Sequence, residues 1–257
     1  MTGQDFSQRS TATELMDTEP TSFEEFDGYL RDLERVNVLT LAYRPTLAKS
    51  APWPIFREGW PISVLDVGSG RGGRLRRLRK WARGKNLQLD LTGVDINPWS
   101  TKSAAESTPP EMYIRFETAD ILAQSEPLQT DFVLSSSFTH HLDDADLVGF
   151  IRQMDRYAAH GWFINHLHRH ILPYCFIKYA TRLLPVHCMA RNDGPISVAR
   201  ALQLMTGGTC WLKPASRQSG CASNGSFPFA TACRAERRYD ALMLVVCFAH
   251  CNFSLKI

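Results

Sequence analysis

Between residues 60 and 165 short apolar runs alternate with stretches of helical period. Ile62 to Val67, Leu89 to Val94, Met112 to Phe116, Phe132 to Ser135 and Trp162 to Ile164 have the length of buried strands. Leu75 to Trp81, Trp99 to Ala105 and Ala145 to Ala158 place apolar side chains at helical intervals. Strands that alternate with helices predict right-handed βαβ crossovers, hence an α/β, Rossmann-like fold with a mostly parallel sheet and helices on both faces. In the first crossover helix Leu75, Leu78, Trp81 and Ala82 share one face. Arg74, Arg76, Arg77, Arg79, Lys80 and Arg83 fall mainly on the other, which reads as a solvated face rather than an RNA-binding one.

The flanks follow other patterns. Residues 1–22 are polar and lack a period that could bury a face, so a disordered arm is expected there. Phe26, Leu30, Leu33, Val38 and Leu41 predict one or two helices that end before Pro45 and cap a sheet edge or cover a pocket. The folded domain is expected over 23–202. Residues 203–257 read as an atypical, poorly folded tail. Residues 201–257 hold two acidic residues, Glu236 and Asp240, against 24 in the first 200, and five of the seven cysteines. Gly207, Gly208, Pro214, Gly220, Gly225 and Pro228 punctuate the tail too densely for a long helix. Its composition resembles that of a shifted reading frame, and an irregular stretch over 206–238 with an incomplete sheet edge is expected.

Composition narrows the classes only modestly. A chain of 257 residues with 44% hydrophobic and 21% charged positions can bury one core without disulfides or metals. The net charge of +3 gives no global argument for a nucleic-acid or membrane partner. No apolar h-region opens the chain and no run reaches the roughly 18 to 20 apolar residues of a bilayer span. A cytoplasmic location is expected, with reduced thiols and no metal, since no cysteine precedes Cys175 and no CxxC or Cys/His zinc spacing occurs.

The chemistry concentrates at strand ends. Val64-Leu65-Asp66-Val67-Gly68-Ser69-Gly70-Arg71-Gly72-Gly73 is an apolar strand that runs into a glycine-rich turn and then a helix, an arrangement that offers free N–H groups to a carboxylate or phosphate. Gly68, Gly70 and Gly73 also satisfy a dinucleotide-binding spacing, so the turn alone does not choose a ligand. A second strand ends in Asp95, 22 residues after Gly73, where a carboxylate can accept from both hydroxyls of a ribose. Read by itself, Asp120 fits a helix N-cap.

The run of these elements resembles the class I S-adenosylmethionine (SAM) dependent methyltransferases. VLDVGSGRGG is similar to their first motif, GVDINP to the second, FETADIL to the third, and DFVLSSSFTHHL to the fourth strand and its loop. The resemblance covers about residues 60–165. It implies SAM as cofactor, with Gly68, Ser69, Gly70 and Gly72 beneath its methionine part and Asp66 helping to hold the ammonium. Asp95 and Ile96 would take the ribose end, Asp120 and Ile121 would frame the adenine, and Ser136 would sit near the transferring methyl. The segment after the fifth strand is similar to a bacterial small-molecule subgroup, in which it forms a helical lid, here about 167–190, followed by an Asp193-Gly194-Pro195 turn. Phe176, Tyr179, Leu183 and Leu184 would give the lid an apolar inner face suited to an aromatic or hydrophobic acceptor. The subgroup carries an acid where Asn165 stands, so no catalytic role is assigned to that position.

Three histidines are candidate catalytic bases: His140 and His141 just past the fourth strand, and His168 in the run His166-Leu167-His168-Arg169-His170. Each could equally be a structural hydrogen-bonding group. The function expected is methyl transfer to an oxygen or carbon of a small acceptor. The rivals are an RNA or protein methyltransferase, and an inactive SAM-fold binding protein. The oligomeric state is left open.

Overall fold

The computed structural model describes residues 5–18, 22–50, 61–124, 129–202, 230–236 and 244–247. Its centre is a sheet of β1 (Ile62–Val67), β2 (Leu89–Asp95), β3 (Ile114–Thr118), β4 (Thr130–Ser136), β5 (Ala158–Leu167), β6 (Ala230–Glu236) and β7 (Leu244–Cys247). The strand order is β3-β2-β1-β4-β5-β6-β7. The first five strands pair in parallel. The last two pair antiparallel. The crossovers are α4 (Gly73–Arg83), α5 (Pro98–Ser107) and α6 (Asp144–Tyr157). Around them lie α1 (Leu15–Thr18), α2 (Phe23–Leu39), α3 (Arg44–Ser50), α7 (Ile171–Leu183) and α8 (Cys188–Arg200). The expected Rossmann-like α/β fold is therefore present. The order reverses between β1 and β4, which puts a crevice beyond their C-terminal ends.

The period of two along each strand divides the core. Val67, Val133, Trp162 and Ile164 pack under α6 with Phe150, Met154 and Tyr157. Val64, Phe132, Leu134 and Phe163 pack under α4 with Leu75, Leu78 and Ala82. A third cluster lies off the sheet, where Phe26, Tyr29 and Leu30 of α2 meet Val186, Met189 and Ala190 around the start of α8. This cluster holds the capping helices above the crevice.

Four expectations change. The first concerns the arm, of which residues 5–18 are packed rather than disordered. Ser10 N donates to Ala199 O at 3.1 Å, Leu15 N and Met16 N donate to the Asp193 carboxylate at 2.8 and 3.0 Å, and Glu14 is buried. Polar partners on α8, rather than an apolar face, hold it down. The second concerns the basic row of α4, of which Lys80 and Arg83 are exposed as expected but Arg74, Arg76, Arg77 and Arg79 are not a solvated face. Arg74 is buried, Arg76 reaches Glu34 at 2.7 Å, Arg79 donates to Leu89 O at 2.7 Å, and Arg77 lies over the Tyr43 ring. Long side chains satisfy carbonyls and carboxylates at the edges of neighbouring elements.

The third concerns the Asp193-Gly194-Pro195 segment, which lies inside α8 and is not a turn before a helix. A Cβ at Gly194 would meet Ile177 Cγ2 at 2.7 Å, so glycine is what lets α8 cross α7 this closely. The fourth concerns the tail, where 230–236 is not irregular: β6 pairs with all of Gly161 to Leu167 on β5. The rest of the expected irregular stretch lies outside the described residues. Among the described residues no helix is long and apolar enough to cross a membrane.

Candidate functional site

The turn after β1 is built from backbone that side chains disfavour. Gly68, Gly70 and Gly72 have φ of 68°, 51° and 75°. Gly68 N and Ser69 N both donate to Val94 O, at 2.9 and 3.1 Å, which ties the turn to the end of β2. A Cβ at Gly70 would meet nothing within 4 Å, so this point of the turn faces open space. Asp95 closes β2 beside it. Its Oδ2 accepts from Gly70 N at 2.9 Å and its Oδ1 from Asn97 N at 3.0 Å. Burial raises the Asp95 pKa above the ordinary carboxylate value, against the pull of those two N–H groups.

The remaining sites expected to hold the cofactor are arranged less uniformly. Ile96 is 63% exposed, unusual for a large apolar side chain next to a half-buried acid. Asp120 is exposed and accepts from Leu122 N at 2.9 Å, the hydrogen bond of a local turn. Ile121 is buried in the core under α6. Ser136 ends β4, with its Oγ 3.3 Å from Asn165 Nδ2.

Asp66 departs most from its expected role. It is fully buried and paired to Arg74 Nη1 at 2.7 Å. Burial lifts its pKa to about 6, with Arg74 opposing that rise and Asp95 adding to it. Arg74 stands in the cavity wall, whereas Asp66 does not.

The cavity runs from the glycine turn to the capping helices, with a volume of about 210 Å³. Gly68, Ser69, Gly70 and Ser136 form one wall, and Tyr29, Leu33, Leu41 of the α2 region with Pro173 and Ile177 of α7 form the apolar opposite wall. The lid residues named from the sequence do not supply that surface: Phe176, Tyr179 and Leu183 are exposed on the other side of α7. A helix presents its i, i+4 positions together, and Pro173, Ile177 and Thr181 take the inner face.

His140 and His141 line the cavity, and both lie against Glu14. Glu14 Oε1 is 3.3 Å from His140 Nε2 and accepts from Ser197 Oγ at 2.9 Å. Burial works against the charge of Glu14, but the hydrogen bonds and charges of His140, His141 and Ser197 outweigh it and hold its pKa below the usual value. Burial keeps His140 neutral, with its pKa lowered despite Glu14. His141 is also opposed by burial, yet the hydrogen bond from its Nδ1 to Asp17 at 3.3 Å and the two carboxylates raise its pKa. Glu14, His140 and His141 bring ligand atoms within 4.8 Å of one another. His168 is buried but lies outside the cavity wall; its neighbour His166 is in it instead. Burial drives the His166 pKa down to about 4.

Sequence reasoning missed Glu14, Arg74 and His166. Glu14 had one local signal, the apolar pair Leu15-Met16 beside it in an otherwise polar arm. Its partners, however, are more than a hundred residues away.

Residues 64–161 match the family model described as a methyltransferase domain. The chain is similar to the 2-methyl-6-phytyl-1,4-hydroquinone methyltransferase of Synechocystis sp., 37% identical over 83 residues, which are 32% of this chain and 24% of that protein. The chain thus spans about a quarter of that curated relative's length. Among solved structures, the plantazolicin methyltransferase BpumL in complex with SAH superposes with a TM-score of 0.51 at 18% identity, covering 74% of this chain and 68% of that one.

Proposed function

We propose that this chain, whose residues 64–161 match a methyltransferase domain, is a class I SAM-dependent methyltransferase that transfers a methyl group from SAM to an oxygen or carbon of a small, aromatic or otherwise hydrophobic acceptor. The observation that carries the reading is the joining, in one cavity, of an open left-handed glycine turn beside Asp95 with an apolar cap that brings a carboxylate-held histidine. SAM fits this turn chemically: a Cβ-free surface for close approach, a carboxylate at the strand tip and an exposed apolar Ile96 next to it.

The roles follow from each residue's chemistry. Gly68, Ser69, Gly70 and Gly72 support the methionine part. The Asp95 carboxylate holds the N–H groups of Gly70 and Asn97 and the Ser100 side chain, and with about four lone pairs in all it can still accept from a ribose hydroxyl without releasing the turn. Ile96 packs on the adenosine, Asp120 and Ile121 border the adenine, and Ser136 faces the reacting end. Bound SAM supplies an electrophilic methyl on a sulfonium, and most of the protein's contribution is alignment.

His140 is the best candidate for a general base. With Nε2–H donated to Glu14, Nδ1 is left bare, and it has no hydrogen-bond partner among the described residues. The Glu14 carboxylate fixes the ring and stabilises the imidazolium that forms on proton uptake, the logic of any carboxylate-held histidine base. His166 also lines the cavity, with its Nδ1 2.7 Å from Leu167 O, but burial drives its pKa down to about 4 and makes it the weaker base. The hydroquinone acceptor in the name of the Synechocystis relative supports an aromatic hydroxyl-bearing substrate. The internal engagement of the α4 arginines disfavours an RNA or acidic-protein partner.

Two measurements test the reading. Calorimetric titration with SAM should give heat, and its absence at about millimolar ligand with folded protein would sink it. Formation of S-adenosylhomocysteine (SAH) with simple phenols distinguishes an enzyme from an inactive SAM-binding protein.

A further inference from the structure

Arg74 is a guanidinium in an unexpected place. It sits in the first turn of α4, 7% exposed, and lines the cavity next to the glycine turn and Ser136. Its Nη1 is bound to Asp66 at 2.7 Å, while its Nη2 has only a long contact to Ser136 O at 3.4 Å. Its buried Nε has no hydrogen-bond partner among the described residues, nor has Oδ2 of Asp66. The guanidinium is a planar fork of five N–H donors, and here Nη1 is held by a carboxylate while Nη2 keeps donor capacity in a side chain that lines the cavity.

The neighbouring cations do not share this condition. Arg71 also lines the cavity but is engaged by Asp27 at 3.1 Å and by Glu34 at 3.6 Å. Arg76 is engaged by Glu34, by Ser107 and by Thr108. Arg74 is thus the arginine of this helix that lines the cavity and has an Nη2 not held by a carboxylate or a short hydrogen bond. A buried guanidinium in a cavity wall with a donor left over can receive an anionic oxygen.

We infer that Arg74 forms a carboxylate-binding subsite at the floor of the cavity, positioned by Asp66. The carboxylate it takes is that of the amino-acid part of the cofactor, because the subsite adjoins the glycine turn rather than the apolar cap. This rests on the SAM reading above. Asp66 then acts through Arg74: it fixes the fork and balances its charge, instead of meeting the cofactor's ammonium as the sequence implied. An acid borne by the acceptor offers the same chemistry, and the experiment separates the two sources.

The test is calorimetric titration of wild type, Arg74→Met and Arg74→Lys with three probes: SAH, 5′-methylthioadenosine (which lacks the amino-acid part) and 4-hydroxybenzoate. The expected result is a loss of SAH affinity of about ten- to a hundredfold in Arg74→Met, partial recovery in Arg74→Lys, and a change of less than about threefold for 5′-methylthioadenosine. An equal loss for both nucleosides would mean that Arg74 only shapes the fold. Unchanged SAH affinity with loss of 4-hydroxybenzoate would move the subsite to the acceptor, and no change with any probe would overturn it. Because Arg74→Met leaves a buried carboxylate without its partner, Asp66→Asn/Arg74→Met is measured alongside. Wild-type protein that binds neither nucleoside would defeat the SAM reading itself, and 4-hydroxybenzoate would still report on Arg74.

Discussion

The two walls of the cavity are held together differently. On the turn wall backbone N–H groups of the turn bond to the end of the neighbouring strand: Gly68 N and Ser69 N to Val94 O, and Gly70 N to the Asp95 carboxylate across 25 residues. On the cap wall they are side-chain contacts between chain ends: Arg9 to Arg200 O across 191 residues, Glu14 to Ser197 across 183, and Leu15 to Asp193 across 178. The first wall inherits the rigidity of a parallel sheet. The second is an assembly of carboxylates, histidines and the arm of residues 5–18, each joined by a few polar bonds. Such assemblies open locally at lower free energy than a packed sheet. Binding the cofactor and covering the acceptor are therefore separable properties, and substitutions on one wall should leave the other largely intact.

The largest effect is expected from Gly70→Val. The left-handed backbone disfavours a β-branched residue by about 1 to 2 kcal/mol, and the side chain would project into the open space that faces the turn. SAM affinity should fall more than about a hundredfold, by calorimetry, while the melting temperature drops only about 2 to 8 °C. Retained SAM affinity would mean that the cofactor does not use this wall.

Asp193→Ala attacks the other wall. It removes the acceptor for two backbone N–H groups, of Leu15 and Met16. Hydrogen bonds to a charged group are worth roughly 1.5 to 3 kcal/mol each, so the arm should come loose. Hydrogen exchange over residues 5–18 should accelerate by at least about tenfold, and SAM affinity should stay within about threefold. A parallel loss of both would join the walls into one cooperative unit.

Asp95→Ala tests a single residue of the turn wall. The loss of its hydrogen bonds to the ligand should weaken SAM by about ten- to a hundredfold. Because Asp95 also holds Gly70 N, part of the effect will come from a relaxed turn. Asp95→Asn, which can accept but with less charge, should fall between wild type and alanine.

The same contrast explains what could be read from the chain alone. β1, its turn and α4 are contiguous, and the strand ends at Asp95 and Ser136 follow from apolar runs of fixed length, so the turn wall is legible residue by residue. The cap is not. Nothing near Glu14 in sequence says that it will meet His140 and Ser197, because the pairing exists only after α8 has folded back. Arg74 was hidden for another reason: helical periodicity assigns a charged position to the polar face, and here a buried carboxylate one element away reverses that assignment. The outward turn of Phe176, Tyr179 and Leu183 is a third case, since periodicity finds two apolar stripes on α7 and does not say which one faces in.

The smallest effect concerns pH and lies wholly within the cap. His141 faces Glu14 and Asp17 from the arm, Arg200 from α8 and His140 beside it. Its folded pKa is raised above 6.5, so its contribution to holding the arm is fully present below pH 6.5 and lost as pH rises through the folded value. Glu14 and Asp17 have lowered pKa values, so their contributions are present above about 4.5 and 3.8 and are lost only as pH falls through lower values. His140 acts in the opposite sense to His141, since its lowered pKa makes protonation below pH 6.5 unfavourable in the folded state. On the alkaline side only His141 titrates among these four groups. Its imidazole resonance should therefore show a midpoint above 6.5 in wild type, and Asp17→Asn should move that midpoint down, because the hydrogen bond to Asp17 is the largest of the effects that raise it. Exchange over residues 9–17, corrected for the intrinsic pH dependence, should rise through the same midpoint by less than about tenfold. A midpoint that Asp17→Asn leaves unmoved would assign the charge on His141 to Glu14 alone and make the arm's hold independent of Asp17.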